Sequence, residues 1–282
     1  MRIGLIGNGF VGRATSILES DDIEIIIYDI IPEECSPRDT TLEDISKCEL
    51  IFICVPTPMN TDGSCYLSIL EDVIDKLSVY INFDKSIVVI RSTVPPGTSE
   101  RLNCYFMPEF LTEKNYKEDF INNTDWIFGL KNTPLDNLFK KKIEYLINTS
   151  AEYNKIKSNN IIYTPTKEAE LIKLFRNNFL SLKVSFCNEI YDYCNKINVD
   201  YDVVSEVACL DKRIGNSHIS VPGHDGKRGF GGTCFPKDTN NLLDCMKKES
   251  MKSYIVDAMV KRNTTKDRVE QDWKNNKGRA VI

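Results

Sequence analysis

A chain of 282 residues, 41% hydrophobic and 27% charged, has an ordinary globular composition and is long enough for one large domain or two modest ones. Its net charge of -5 supplies no basic footprint for nucleic acid or an anionic membrane, and no apolar run reaches the length of a bilayer span, so neither partner is expected. Ten scattered cysteines without a CxxC pair, and no secretory leader, predict a reducing, cytoplasmic setting; with only two histidines, His218 and His224, no metal site is expected and acid–base work falls to Lys, Glu, Asp and water.

Met1 to Ile6 reads as a short buried strand. Gly7-Asn8-Gly9-Phe10-Val11-Gly12 follows, then a helical stretch to about Leu18 and a second strand, Ile23 to Tyr28, ending in Asp29. This is the strand–GxGxxG–helix–strand–acid unit of dinucleotide binding. Gly7 makes the tight turn, Gly9 lets backbone approach a pyrophosphate, and Gly12 lets the helix pack on the strand. Asp29 would accept from both ribose hydroxyls and repel a 2′-phosphate, which favours NAD over NADP.

Strands and helices go on alternating. Strands are predicted at Leu50–Val55, Ile87–Ile90, Cys104–Met107, Trp126–Leu130 and Asn160–Tyr163, with helices at Leu67–Val79 and Leu135–Ile147. The loops Pro56-Thr57-Pro58, Arg91 to Gly97 and Pro108 to Glu113 leave the C-terminal ends of strands, where open α/β sheets bind ligands. Glu109 and Glu113 flank a bulky pair there, with Thr93 on a neighbouring loop. Two solvated acids are the plain alternative.

Thr164-Pro165-Thr166 caps a long helix running to about Ile197 with no Gly or Pro inside. Ile172, Phe175, Phe179, Leu182, Phe186, Ile190, Tyr193 and Ile197 recur every three or four residues, and Leu171, Leu174, Leu180 and Val184 widen the stripe. Such a helix is expected to be buried on most sides, crossing the molecule or forming a dimer core. Lys173 and Asn177 lie four apart and point the same way. A Lys among apolar residues is either paired, lowered in pKa or reaching to solvent. Further helices are predicted at Tyr201–Cys209, Pro236–Met246 and Lys252–Arg262.

Between them lies Gly229-Phe230-Gly231-Gly232-Thr233-Cys234-Phe235-Pro236-Lys237-Asp238, with three glycines in four positions and then a single thiol. The glycines permit conformations and approaches that a Cβ forbids. Pro236 suits a first helical turn, so Cys234 falls at or just before a helix N-terminus, where unpaired N–H groups favour a thiolate. A glycine-rich turn with a small buried Cys is the bland alternative.

These motifs resemble the UDP-glucose/GDP-mannose dehydrogenase family. GNGFVG, VPTP, RSTVPPGT, MPEFLTE, EAELIKLFRNNFLSLK, DKRIG and GFGGTCFPKD carry the resemblance, in the family's order from Gly7 to Asp238. It implies an α/β fold: a Rossmann-like doubly wound sheet over 1–165, a long helix and small helical domain over 166–262 that carries the thiol and mediates dimerisation, and a charged tail over 263–282. The family's usual second nucleotide-binding domain is expected to be missing from this short form. The implied activity is a double oxidation of a nucleotide-sugar C6 alcohol to a carboxylate with two NAD and one water, UDP-glucose being the favoured substrate.

Carried over residue by residue, the resemblance makes Cys234 the nucleophile that forms a thiohemiacetal and then a thioester. Lys173 and Asn177 stabilise charge on the C6 oxygen, and Thr93, Glu109 and Asp238 position water and relay protons. Gly7, Gly9, Phe10, Val11, Gly12, Asp29, Thr57, Thr93, Glu113 and Lys237 would hold NAD. Glu109, Phe110, Leu111, Lys173, Asn177, Phe230 and Gly231 would hold the sugar nucleotide, with Arg213 reaching across a homodimer built on the long helix. Another nucleotide sugar, such as GDP-mannose or a UDP-N-acetyl sugar, stays open as the substrate, and so do two other readings. One is a two-electron β-hydroxyacid dehydrogenase, which has no need of a thiol placed like Cys234; the other is a non-catalytic NAD-binding dimer or partner of a longer enzyme.

Overall fold

The computed structural model describes all 282 residues. Short runs that are apolar on both faces, such as LIFI and VVI, suit strands buried between helical layers, and they build one seven-stranded sheet. In chain order the elements are β1 (Arg2–Ile6), α1 (Phe10–Thr15), β2 (Glu24–Tyr28), α2 (Leu42–Ser46), β3 (Leu50–Ile53), α3 (Ser68–Ser78), β4 (Val88–Ile90), α4 (Thr98–Arg101), β5 (Tyr105–Phe106), α5 (Tyr116–Ile121), β6 (Trp126–Leu130), α6 (Asp136–Glu152) and β7 (Ile161–Pro165). Then come α7 (Thr166–Ile197), α8 (Tyr201–Ala208), α9 (Phe235–Lys248) and α10 (Ile255–Arg262).

The strand order is β2-β1-β3-β4-β5-β6-β7. All neighbours are parallel except β5 and β6. Alternate residues of a strand feed opposite layers, as the two-residue pleat requires. Leu50 and Phe52 of β3 pack with Ala14, Phe139, Ile143 and Leu146, whereas Ile51 and Ile53 pack with Leu70, Ile74 and Leu77. The order turns around at β1, which pairs β2 on one side and β3 on the other. The GxGxxG turn leaves β1 at this switch point. Helices α2, α4 and α5 have four to six residues each, too short to show a helical stripe in the sequence.

The chain divides into two compact units. One comprises Met1–Thr57 and Leu67–Lys173, the other Pro58–Tyr66 and Leu174–Ile282. The division falls inside α7, directly after Lys173. Within the second unit, 263–282 is folded rather than trailing. Trp273 and Ala280 are buried with Met59, whose N–H donates to the Ala280 carbonyl at 2.9 Å. The charge density of this stretch is used internally: Arg262 and Arg228 bracket the buried Asp267, and Arg268 pairs with Asp225 and Asp272.

Helix α7 departs from expectation. Its buried side is polar, with Glu170, Lys173, Asn177, Asn178, Ser181, Ser185 and Asn188, and its aromatic side faces out. Phe175, Phe179, Phe186 and Tyr193 are 65%, 58%, 62% and 59% exposed. The aromatic part of the stripe thus faces away from this chain's own interior, whereas Leu174 is buried and Ile172 and Ile190 pack against its apolar clusters.

Candidate active site

The dinucleotide turn is built by backbone sterics. Gly7 has φ +97°, and a Cβ there would stand 2.8 Å from the Cys54 carbonyl oxygen. A Cβ on Gly12 would stand 2.0 Å from the Gly7 carbonyl oxygen, so α1 packs as closely as a helix can. At Gly9, the N-cap of α1, a Cβ would meet nothing within 4 Å, which leaves that face of the turn open to a ligand. Phe10 and Val11 begin α1 and are half-buried. Asp29, just past β2, accepts from the backbone N–H of Asn8 at 2.7 Å and of Ile31 at 3.0 Å. The acid is thereby fixed against the turn. Glu34 clips the same loop by accepting from Asn8 Nδ2 at 2.9 Å and from Arg13 at 2.8 Å, and the Glu34 carboxylate raises the pKa of the Arg13 guanidinium.

The loops after β3 and β4 are tied together by Thr57, whose hydroxyl donates to the Thr93 carbonyl at 2.7 Å. Both threonines are buried. Beyond β5, Glu109 and Lys173 form an ion pair at 2.7 Å, with side chains only 5% and 3% exposed. The second Glu109 oxygen accepts from the Leu111 N–H at 2.9 Å, and the Phe110 ring centre lies 5.8 Å from Lys173 Nζ. Lys173 is therefore paired rather than reaching to solvent. Glu113, by contrast, is exposed, so the two acids of this loop do not share an environment. No local feature of the sequence singles out Arg91 within its loop. It is buried, donates to the Thr15 hydroxyl and lies over the Phe120 ring, and burial lowers its pKa.

In the second unit Asp238 is a buried hub. It accepts from Asn177 Nδ2 at 2.6 Å and from Lys237 Nζ at 2.8 Å, and its carbonyl accepts from Asn178 Nδ2 at 3.2 Å. Burial works against the Lys237 ammonium but is outweighed by Asp238, with the Cys65 and Cys234 thiols adding to it, so Lys237 stays firmly protonated. Cys234 is the N-cap of α9, with Pro236 in the first turn and the Thr233 hydroxyl 3.7 Å from its sulfur. The Asp238 N–H donates to the Cys234 carbonyl at 2.9 Å.

The glycine-rich approach to the thiol is packed by residues far along the chain. Phe230 donates its N–H to Asn263 Oδ1 at 2.8 Å and accepts from Asn263 Nδ2 at 2.9 Å. A Cβ on Gly231 would stand 2.3 Å from the Arg268 guanidinium carbon, and one on Gly229 2.3 Å from Asn263 Oδ1. Neither Asn263 nor Arg268 has a local sequence signal that links it to this loop. Arg213 is 89% exposed and its guanidinium hydrogen-bonds Asp211 at 3.0 Å. Its Asp211–Gly215 turn is held by Lys183 Nζ, which donates to the Ile214 and Gly215 carbonyls.

A doubly wound sheet with this turn and acid, continued through a Lys- and Asn-bearing helix into a helical unit, is the architecture of a nicotinamide-cofactor dehydrogenase. Residues 37–147 match the NAD binding domain of the UDP-glucose/GDP-mannose dehydrogenase family, and residues 167–265 match that family's central domain. The chain belongs to this family, and its first unit carries the NAD-binding domain. It is 34% identical over 232 residues to UDP-glucose 6-dehydrogenase of Rickettsia bellii, covering 78% of this chain and 50% of that one. Against the enzyme of that name from Rickettsia prowazekii it is 30% identical over 303 aligned positions, covering 93% of this chain and 67% of that one. A UDP-glucose dehydrogenase structure from the hyperthermophilic archaeon Pyrobaculum islandicum superposes with a TM-score of 0.77 at 25% identity, over 93% of this chain and 67% of that one. The chain thus spans half to two thirds of the length of these relatives.

Proposed function

We propose that this chain is an NAD-dependent nucleotide-sugar 6-dehydrogenase that oxidises the C6 alcohol of UDP-glucose to the carboxylate in two steps. The observation that carries the reading is the setting of Cys234. The thiol caps α9, and α9 is anchored through Asp238 to Asn177, one turn beyond Lys173 on α7. NAD, when bound, accepts one hydride in each oxidation. The first step takes a hydride and the hydroxyl proton from the alcohol to give an aldehyde. Cys234 Sγ then adds to that carbonyl carbon, and the resulting thiohemiacetal can lose a second hydride from a tetrahedral centre to give a thioester. Water breaks the C–S bond, returning the thiol and releasing the carboxylate.

Lys173 and Asn177 supply fixed donors for the charge that builds on the C6 oxygen, an effect strongest where water is excluded. Glu109, held by Lys173 and the Leu111 N–H, serves as the proton acceptor that activates water, with Thr93 orienting it. Asp238 keeps Asn177 and Lys237 in place and shares in proton relay. Phe110, Leu111, Phe230 and Gly231 line the sugar nucleotide, and Lys237 and Glu113 take part in cofactor contacts. The test is NADH counted per sugar across UDP-glucose, GDP-mannose and UDP-N-acetyl sugars, with NAD and NADP. Two NADH per UDP-glucose, and far weaker use of NADP because of Asp29, are expected. One NADH per sugar would point to simple alcohol oxidation, and NAD binding without turnover to a non-catalytic chain.

The exposed aromatic side of α7 supports a homodimer as the working form. Phe175 and Phe179 stack in parallel, 6.1 Å apart, on a face too apolar to stay in water as one continuous patch. A second copy would cover it and bring each Arg213 toward the other copy's substrate. Light scattering at micromolar concentration is expected to give the dimer mass, and Phe179→Glu to shift it toward the monomer. A monomeric unmodified chain would rule the arrangement out.

A further inference from the structure

The backbone around the thiol is tethered on both sides, at Phe230 and Asp238, each four residues from Cys234. The tether at Asp238 belongs to the proposed reaction. The one at Phe230 is made by residues to which that reaction gives no part. On the premise that Cys234 is the nucleophile, we propose that Asn263 and Arg268 are positioning residues that set the course of Gly229–Gly232 and so the direction in which the Cys234 sulfur is presented.

Three observations carry this. First, the Asn263 carboxamide pairs with both backbone groups of Phe230, at 2.8 and 2.9 Å, as a neighbouring strand would. Only an amide offers a donor and an acceptor in that geometry. The side chain is buried, so water does not compete for either bond. Second, Arg268 cannot withdraw from Gly231. Its guanidinium is fixed by Asp225 at 2.7 Å and by two bonds to Asp272 at 2.8 Å, and it is buried where a Gly231 Cβ would have to go. Third, the two residues are brought into register by a π-helical turn, Asn263–Asp267, closed by the Arg268 N–H donating to the Asn263 carbonyl at 2.8 Å. Turns of this wide type are uncommon and concentrate at functional sites. An ordinary α-turn would rotate Arg268 by roughly 100° relative to Asn263 for each residue of slip and part the pair. Of the motif's glycines, Gly231 is therefore required by the approach of this strap, Gly229 by that approach and by its own φ of +66°, and Gly232 by its own φ of +73°.

The test reads the thiol directly in the 282-residue chain, without substrate or cofactor. Iodoacetamide labelling of Cys234 is followed by peptide mass spectrometry across pH, with Cys245 as the internal reference and circular dichroism as the folding check. Asn263→Asp keeps the shape and the acceptor, loses the donor and sets a carboxylate against the Phe230 carbonyl. At pH 8 the Cys234 labelling rate is expected to change by about 10-fold or more, and kcat to fall by about 10- to 100-fold, the size of a displacement near 1 Å. Burial raises the pKa of the new acid. As pH falls through it, the restored O–H donor should return Cys234 labelling toward the unmodified chain's rate at the same pH. Arg268→Lys, a milder change, should alter Cys234 labelling less and should make Gly231→Ala better tolerated in the double variant than alone. Folded variants with unaltered Cys234 labelling at every pH would overturn the proposal. Altered labelling in a chain that turns over no sugar would uphold positioning and reject the dehydrogenase reading instead.

Discussion

With Cys234 replaced by serine, steady-state NADH formation from UDP-glucose is expected to fall by about 10²–10⁴-fold, the usual cost of losing one positioned catalytic group. A serine hydroxyl at the α9 N-cap is far harder to ionise than a thiol, and its ester offers a poorer leaving group to water. The variant should stall after capturing the aldehyde or fail at the second oxidation. A rapid-mix experiment should then show at most one hydride per site. NAD binding should be unchanged, because Gly7, Gly9, Gly12 and Asp29 lie in the other unit. If Cys234→Ser kept near-normal turnover with two NADH per sugar, the thiol would be structural and the covalent route would be wrong.

Lys173→Ala is expected to cost both activity and stability. Lys173 and Glu109 form an ion pair almost fully removed from solvent. Deleting one partner leaves a buried, unpaired carboxylate, at a cost of about 3–5 kcal/mol. Urea denaturation should show the loss as a lower midpoint. Activity should fall because the donor that meets charge on the C6 oxygen is gone, while Cys234 stays open to alkylation. The double variant Lys173→Ala, Glu109→Gln isolates the stability effect: it should regain much of the midpoint, since the buried charge is removed, but it also lacks the proposed proton acceptor and stays inactive. Near-normal turnover in folded Lys173→Ala itself would show that Lys173 acts only as a structural counter-ion.

Much of the fold could be read from the chain because its signals are local. The GxGxxG turn, Asp29, the short apolar runs and the uninterrupted helix of 32 residues each fall within a single window of sequence. The pairing of Lys173 with Glu109 was readable only as a need, since a buried lysine requires some partner and 64 residues separate the two. Helix α7 reads as buried on most sides, yet within this chain its aromatic side is exposed, because apolar periodicity reports which side resists water and not what covers it. Its own interior side is lined by Glu170, Asn177, Asn178 and Ser181, whose bonds to carbonyls, N–H groups and Asp238 make burial tolerable. Asn263 and Arg268 were invisible for a different reason. They lie more than thirty residues beyond the loop they hold, in a stretch that reads only as a charged tail.

The strap also changes what the glycine-rich motif is. GFGGTCFPKD looks like a self-contained part that could be lifted out and set into another scaffold. Here its shape is half of a fitted joint: the space that Gly229 and Gly231 leave is filled by Asn263 and Arg268. Transplanted alone, those ten residues would carry the thiol but not the mould that gives their backbone its form. Inheritance is bound by the same joint. A lineage that alters position 268 frees position 231 to change, and one that keeps Arg268 cannot spare the glycine, so the two sites should drift together or not at all.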